Sequence, residues 1–181
     1  MRHNASVHHR ESIRLQGYDY SAEGAYFVTI CTRGRQCLFG QIVDGSIIAL
    51  NEFGEIVRDE WSRTSEIRTG IVLDEFVVMP NHVHGIIVID DGVSGRRSTR
   101  PLAPTGEQFG KPVSYSIPTI IRGFKAAATT KINTLRRTAK LPVWQRNYYE
   151  RIIRNDRELN AVRQYILSNA ANWEKDEEYV V

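Results

Sequence analysis

Apolar positions change their spacing several times along the chain, and each change marks an element. Behind Gly24, the run Ala25-Tyr26-Phe27-Val28-Thr29-Ile30-Cys31-Thr32 is β-branched and aromatic and of strand length. Gln41-Ile42-Val43 and residues 46–50 flank Asp44-Gly45, a pair that supplies the positive φ of a tight hairpin turn. Over Glu52–Glu66 the period lengthens. Phe53, Ile56, Val57, Trp61 and Thr64 recur at helical spacing, with Glu55, Arg58, Asp59 and Ser62 off the stripe. Residues 71–78 and 86–89 are again strand-like, and the Pro80-Asn81 turn between them makes an antiparallel hairpin. Ser116 as N-cap and Pro118 in the first turn open a helix to about Arg137, with Ile117, Ile120, Ile121, Phe124, Ala128 and Leu135 inward. After Leu141-Pro142, residues 143–153 read as the last strand. A final helix starts near Asn155-Asp156, where Glu158 stands as in a capping box, and its inward stripe is Leu159, Val162, Ile166, Ala170 and Trp173.

The order is strand, short hairpin, helix, strand, strand, helix, strand, helix. That is the split βαβ plan of ferredoxin-like and RNA-recognition-like (RRM-like) domains, an α+β fold with a central antiparallel sheet and helices on its faces. In this plan the second strand of the 71–89 hairpin is central. His82, His84, Ile86 and Val88 share one of its faces and Val83, Gly85, Ile87 and Ile89 the other, so the sheet is expected to be covered on both sides. Two segments fall outside the pattern. Residues 1–20, with His3, His8, His9, Arg2, Arg10 and Arg14, read as a flexible basic arm before a domain of residues 21–175. Residues 90–115, rich in Gly, Ser, Arg, Pro and Thr, read as a mobile loop that orders on DNA.

Length and composition agree with one domain: 181 residues with 41% hydrophobic content can bury a full core. No apolar run approaches the ~20 residues of a membrane span, and no signal-peptide region is evident, so no membrane partner is expected. Two cysteines, Cys31 and Cys37, do not make a disulfide framework. The net charge of +3 hides an uneven distribution. Residues 112–149 contain no Asp or Glu but hold Arg122, Lys125, Lys131, Arg136, Arg137, Lys140 and Arg146, the footprint of a polyanionic partner. On the second long helix Arg122, Lys125, Thr129 and Arg136 form a polar stripe beside the packed one, suited to tracking phosphates.

His82 and His84 project from one side of a strand, where two imidazoles can share a cation or can be core residues bonded to the backbone. A histidine-triad hydrolase is excluded, because the next alternate position is Ile86. On the last helix Tyr165 and Asn169 lie four apart and stack on one side, beside and on the edge of the apolar stripe. Tyr148 and Tyr149, rivals to Tyr165 as a tyrosine nucleophile, form a strand doublet that sends one ring to each face, one to the core and the other free to stack on a base. Trp144 reads as core.

Pro80-Asn81-His82-Val83-His84-Gly85 between strands, Trp144-Gln145-Arg146-Asn147-Tyr148-Tyr149-Glu150-Arg151, and Tyr165-Ile166-Leu167-Ser168-Asn169 on the last helix occur in the order found in one family. Across about residues 14–173 the chain resembles the single-tyrosine HUH transposases, and among them the REP-associated tyrosine transposases, named for repetitive extragenic palindromes. The resemblance implies a cytoplasmic, DNA-associated bacterial enzyme that cuts and rejoins single-stranded DNA beside a hairpin, through a 5′-phosphotyrosine intermediate and with Mg²⁺ or Mn²⁺. It makes His82 and His84 the metal pair and Tyr165 the nucleophile. Asn169 becomes the polar ligand four residues on, where related enzymes carry Gln; Ala170 follows it where this group often has Pro. Arg122, Lys125, Arg136, Arg146 and Tyr149 are the expected DNA contacts. The family contains monomers and homodimers. Two other readings share part of this pattern: a non-catalytic single-strand binder of RRM-like fold, and a replication initiator or relaxase with the same HUH core.

Overall fold

The computed structural model describes residues 18–90 and 115–179. In chain order the elements are β1 (Gly24–Cys31), β2 (Gly40–Val43), β3 (Ile47–Leu50), α1 (Glu52–Glu66), β4 (Ile71–Val78), β5 (His82–Ile89), α2 (Ile117–Leu135), β6 (Tyr149–Ile153) and α3 (Asp156–Ser168). The main sheet is antiparallel, in the order β4-β5-β1-β6, while β2 and β3 form a separate hairpin. This is the split βαβ arrangement expected from the pattern, with β5 between β4 and β1. The register runs from Gly24↔Ile89 to Cys31↔His82 between β1 and β5, and from Ala25↔Ile153 to Thr29↔Tyr149 between β1 and β6.

Alternation divides the sheet into two unlike faces. Tyr26, Val28 and Ile30 of β1 join Val83, Ile87 and Ile89 of β5 in the larger core. Val57 and Trp61 of α1 and Ile117, Ile120, Ile121, Phe124, Ala128 and Ile132 of α2 cover them. At about 1.5–3 kcal/mol for each large apolar side chain removed from water, this face carries most of the hydrophobic stabilisation. The opposite face is thinner: Phe27, Ile86 and Ile153 pack against Ile166 of α3, with Leu159 and Val162 partly buried beside them. Arg163 of α3 reaches across to β4 in a bidentate pair with Asp74, at 2.8 and 2.6 Å, which seats the helix toward that side of the sheet.

Local chemistry explains the element ends. Asn51 caps α1 by accepting from the Phe53 and Gly54 amides, and Asn155 caps α3 by accepting from Glu158. The Glu158 carboxylate reaches back to the Arg154 amide at 3.1 Å, one residue before the cap. Asp44 (φ 48°) and Gly45 (φ 70°) supply the turn of the small hairpin.

The structure departs from the sequence reading in four places. The last strand begins at Tyr149 rather than 143, because the Lys125 ammonium takes the Gln145 and Asn147 carbonyls at 2.9 and 3.0 Å. Trp144 there makes only an isolated bridge with Thr32 and packs in the core. α3 stops at Ser168, and a 3-10 segment, Ala170–Lys175, follows it. The inward stripe of α2 runs through Ile132, and Leu135 is exposed. Tyr20, inside the expected arm, is buried against Tyr18 and Tyr26. The rest of that arm (1–17) and the loop segment 91–114 lie outside the described residues. Cys31 and Cys37 are both free. Among the described residues no helix is long and apolar enough to cross a membrane.

Gly85 is the point where the histidine strand meets the larger core, since a Cβ at this position would run into the Trp61 indole. Gly85→Ala is expected to destabilise the fold by about 1–3 kcal/mol, measured by urea unfolding, and Trp61→Phe in the same chain should recover part of the loss.

Candidate active site

β5 enters the sheet at His82, and its alternation places His82 and His84 on the thinner face, under α3. Both are buried, at 0% and 3% exposure, with ring centroids 4.3 Å apart. Each ring is held by its Nδ1. Asn81 spends its amide N–H groups on the carbonyls of Arg35 and Glu178, so its oxygen faces His82 Nδ1 at 2.8 Å as an acceptor only. The His82 proton is thereby fixed on Nδ1, and Nε2 keeps its lone pair. That Nε2 is buried without a hydrogen-bond partner. Burial, then the neighbouring His84 ring, pushes the His82 pKa down to about 3, so the ring is neutral across the physiological range. His84 Nδ1 sits 2.9 Å from the hydroxyl of Thr29, its register partner on β1. A hydroxyl both donates and accepts, so Thr29 serves either tautomer of His84.

α3 and the segment after it close the cluster. The Tyr165 hydroxyl lies 3.1 Å from His84 Nε2 and donates to Asp176 Oδ2, also at 3.1 Å. Asn169, the C-cap of α3, donates its amide N–H to the same Asp176 oxygen at 2.8 Å, and its own Oδ1 is left buried and unpartnered. Asp176 Oδ2 stands 3.7 Å from His84 Nε2. The Asp176 side chain is buried, which by itself raises its pKa. Contacts from the His84 ring, the Glu178 amide, Asn169 and His82 outweigh that and hold the carboxyl below the usual range. Burial, then the Asp176 carboxylate, raises the Tyr165 pKa, so the phenol resists ionisation as it stands. Phe27 packs against both the His84 and Tyr165 rings, and Trp173 lies 5.9 Å from the His82 ring.

His82, His84 and Asp176 offer ligand atoms that all lie within 4.8 Å of one another. Two buried acceptors without partners, His82 Nε2 and Asn169 Oδ1, belong to the same cluster. Orphaned buried acceptors cost stability unless a donor or a cation meets them, and this nitrogen and oxygen set suits a divalent metal ion.

The structure thus brings together four residues singled out in the sequence: His82, His84, Tyr165 and Asn169. Tyr149 is 51% exposed on the same face, against Phe27. Its neighbour Tyr148 turns to the larger core and donates to Glu150 at 2.7 Å. The basic stripe of α2 is elsewhere, across the sheet with α1. Arg122 is exposed there. Arg136 closes its own helix end, its guanidinium donating to Asn133 Oδ1 and to the Leu141 carbonyl. Lys125 is occupied by the carbonyls that precede β6, and its burial lowers its pKa to about 8. Arg146 is exposed on that same loop.

Asp176 is the residue that sequence reasoning missed. It lies one position beyond the expected boundary at 175, in the charged run Glu174-Lys175-Asp176-Glu177-Glu178. No helical period links it to Tyr165, because the chain changes to 3-10 geometry between them. Its one signal is being a carboxylate close behind the Tyr165 and Asn169 helix. Lys125→Met should cost about 1–3 kcal/mol in thermal or urea unfolding, from carbonyls left without a donor, while leaving affinity for single-stranded DNA within about twofold.

No protein-family model matches the chain. An uncharacterised protein of Haemophilus influenzae is 41% identical over 181 residues, covering 99% of this chain and 98% of that protein. Among solved structures, a REP-associated tyrosine transposase bound to a REP hairpin superposes with a TM-score of 0.54 at 18% identity, over 90% of this chain and 72% of that one. A transposase-like protein of Deinococcus radiodurans R1, described by its own structure as putative, gives 0.41 at 19% identity, over 86% and 95%. The chain belongs to one family with the Haemophilus influenzae protein, and its fold is that of the REP-associated tyrosine transposase.

Proposed function

We propose that this protein is a metal-dependent transposase-type enzyme that nicks and rejoins single-stranded DNA beside a hairpin, with Tyr165 as nucleophile. The observation that carries the reading is the phenol oxygen 3.1 Å from His84 Nε2, in a cluster where His82 Nε2 and Asn169 Oδ1 are buried without partners. A non-catalytic single-strand binder of RRM-like fold has no use for such a cluster. The REP hairpin held by the structural neighbour supports a hairpin-bearing strand as the partner here.

The chain's own residues account for the chemistry. Phe27 and His84 hold the Tyr165 ring, and its hydroxyl already donates to Asp176 Oδ2, the group placed to take its proton. Attack of the phenol oxygen on phosphorus forms the phosphotyrosine bond and breaks the P–O3′ bond, and the departing oxygen leaves as a 3′-hydroxyl carrying a proton. In reverse, the 3′-hydroxyl attacks the phosphotyrosine and the phenol departs. With an ordinary pKa of about 10, a phenol leaves more readily than an alkyl alcohol, so the link is reversible. His82 and His84 through Nε2, with Asn169 Oδ1 and Asp176, would hold Mg²⁺ or Mn²⁺, whose charge offsets that which builds on the phosphate oxygens.

A bacterial, cytoplasmic, DNA-associated location follows from this function. A replication initiator or relaxase would use the same core.

Using a labelled hairpin-bearing single strand from the flanking DNA, wild type should cut only with divalent metal and become covalently attached. Tyr165→Phe should form no adduct, and His82→Ala should cut at least about 100-fold more slowly. The duplex of the same sequence should be a poor substrate. An adduct on Tyr165→Phe, or normal cutting by His82→Ala, overturns the assignment. In the DNA-free protein, Asp176→Ala should weaken Mn²⁺ binding about tenfold by calorimetry.

A further inference from the structure

α3 covers only part of the thinner sheet face. Its bidentate tie to Asp74 seats it toward β4, and β6, at the other edge, is left open beside it. The space between is a cavity of about 310 Å³ lined by Phe27, Tyr149, Arg151, Glu158, Ala161, Val162 and Tyr165. Its floor is aromatic: Phe27 and Tyr149 meet edge to face with centroids 6.4 Å apart. Ala161 leaves room in the helical wall. At the rim, Arg151 and Glu158 are only loosely paired at 3.8 Å, so a donor set and an acceptor face the cavity from opposite sides. An exposed pair of this kind contributes little to stability and gives way readily.

Tyr165 belongs both to this cavity wall and to the histidine cluster. We propose that the cavity takes one unstacked nucleobase of the DNA strand, that of a nucleotide flanking the phosphate presented to Tyr165; the inference rests on the strand-transfer reading above. The base stacks on the exposed Tyr149 ring, with Phe27 closing the cavity beside it, as single-stranded bases do on aromatic platforms. Arg151 donates to a carbonyl or ring nitrogen on its edge, and Glu158 accepts from an amino or imino N–H. A base held there leaves its phosphate at the phenol, so the cavity sets which phosphate in the strand is attacked. Duplex bases, stacked and paired, cannot enter.

The test is binding without divalent metal, so that cutting plays no part, using fluorescein-labelled 12-nucleotide oligo(dA), oligo(dC) and oligo(dT) and a 12-unit abasic deoxyribose-phosphate strand of equal charge. By fluorescence anisotropy, wild type should bind at least one of the three base-bearing strands about tenfold more tightly than the abasic strand. Tyr149→Ala removes part of the floor and Ala161→Met fills the cavity. Both positions are exposed, so both variants should fold, and both should lose the advantage of bases while binding the abasic strand as wild type does. Equal binding of base-bearing and abasic strands by wild type, or an advantage that survives in both variants, overturns the proposal. Failure here leaves the Tyr165 adduct assay untouched, and failure of that assay leaves this binding result standing.

Discussion

A strand buried on both faces cannot carry polar side chains without giving each polar atom a partner, and β5 carries two imidazoles in that position. The fold satisfies half of each. Asn81 and Thr29 take the two Nδ1 atoms, which orients the rings and turns both Nε2 atoms toward one point. His84 Nε2 meets the Tyr165 hydroxyl, and His82 Nε2 meets nothing. Burial also keeps His82 neutral. The rest of the site is arranged around this convergence of two buried ring nitrogens.

What surrounds the convergence comes from the end of the described chain. Had α3 continued in α-geometry, Trp173 would have stayed on its apolar stripe. Instead the helix stops at Ser168, and the 3-10 segment lays Trp173 near His82 and carries Asp176 to the phenol. Glu178 then ties this segment back twice, through an ion pair with Arg35 at 2.9 Å and through its carbonyl to Asn81. Asn81 therefore links the tail to the tautomer of His82. The other sheet face has a different part: α1 and α2 supply the bulk of the core, and Gly85 lets Trp61 lie flat against the strand that bears the histidines.

The strands, the face shared by His82 and His84, and the Asn155 cap of α3 were legible because alternation and capping are local rules; the Asn51 cap of α1 was not read, and Ser116 heads α2 without a side-chain cap bond. The pairing of Tyr165 with Asn169 was legible from their spacing, and their place beside the histidines from the family motifs. Three other things were not. Charge counting does not reveal that Lys125 and Arg136 also bond within the chain, the lysine to the carbonyls before β6 and the arginine to Asn133 and the Leu141 carbonyl. The basic stripe reads as one surface with the site only until topology is considered, since the split βαβ plan puts α2 with α1 on the face away from the histidines. Asp176 was hidden because its position depends on where α3 ends, and no proline or glycine marks that end in the sequence.

The central claim is that Tyr165 is the group that bonds to phosphorus. Wild-type protein is incubated with a hairpin-bearing single strand and Mn²⁺, both polymers are digested, and the nucleotide-bearing peptide is sequenced by tandem mass spectrometry. A phosphonucleotide on Tyr165 is the predicted result. The same mass on Tyr148 or Tyr149, or cleavage of the strand with no tyrosine adduct, contradicts the account.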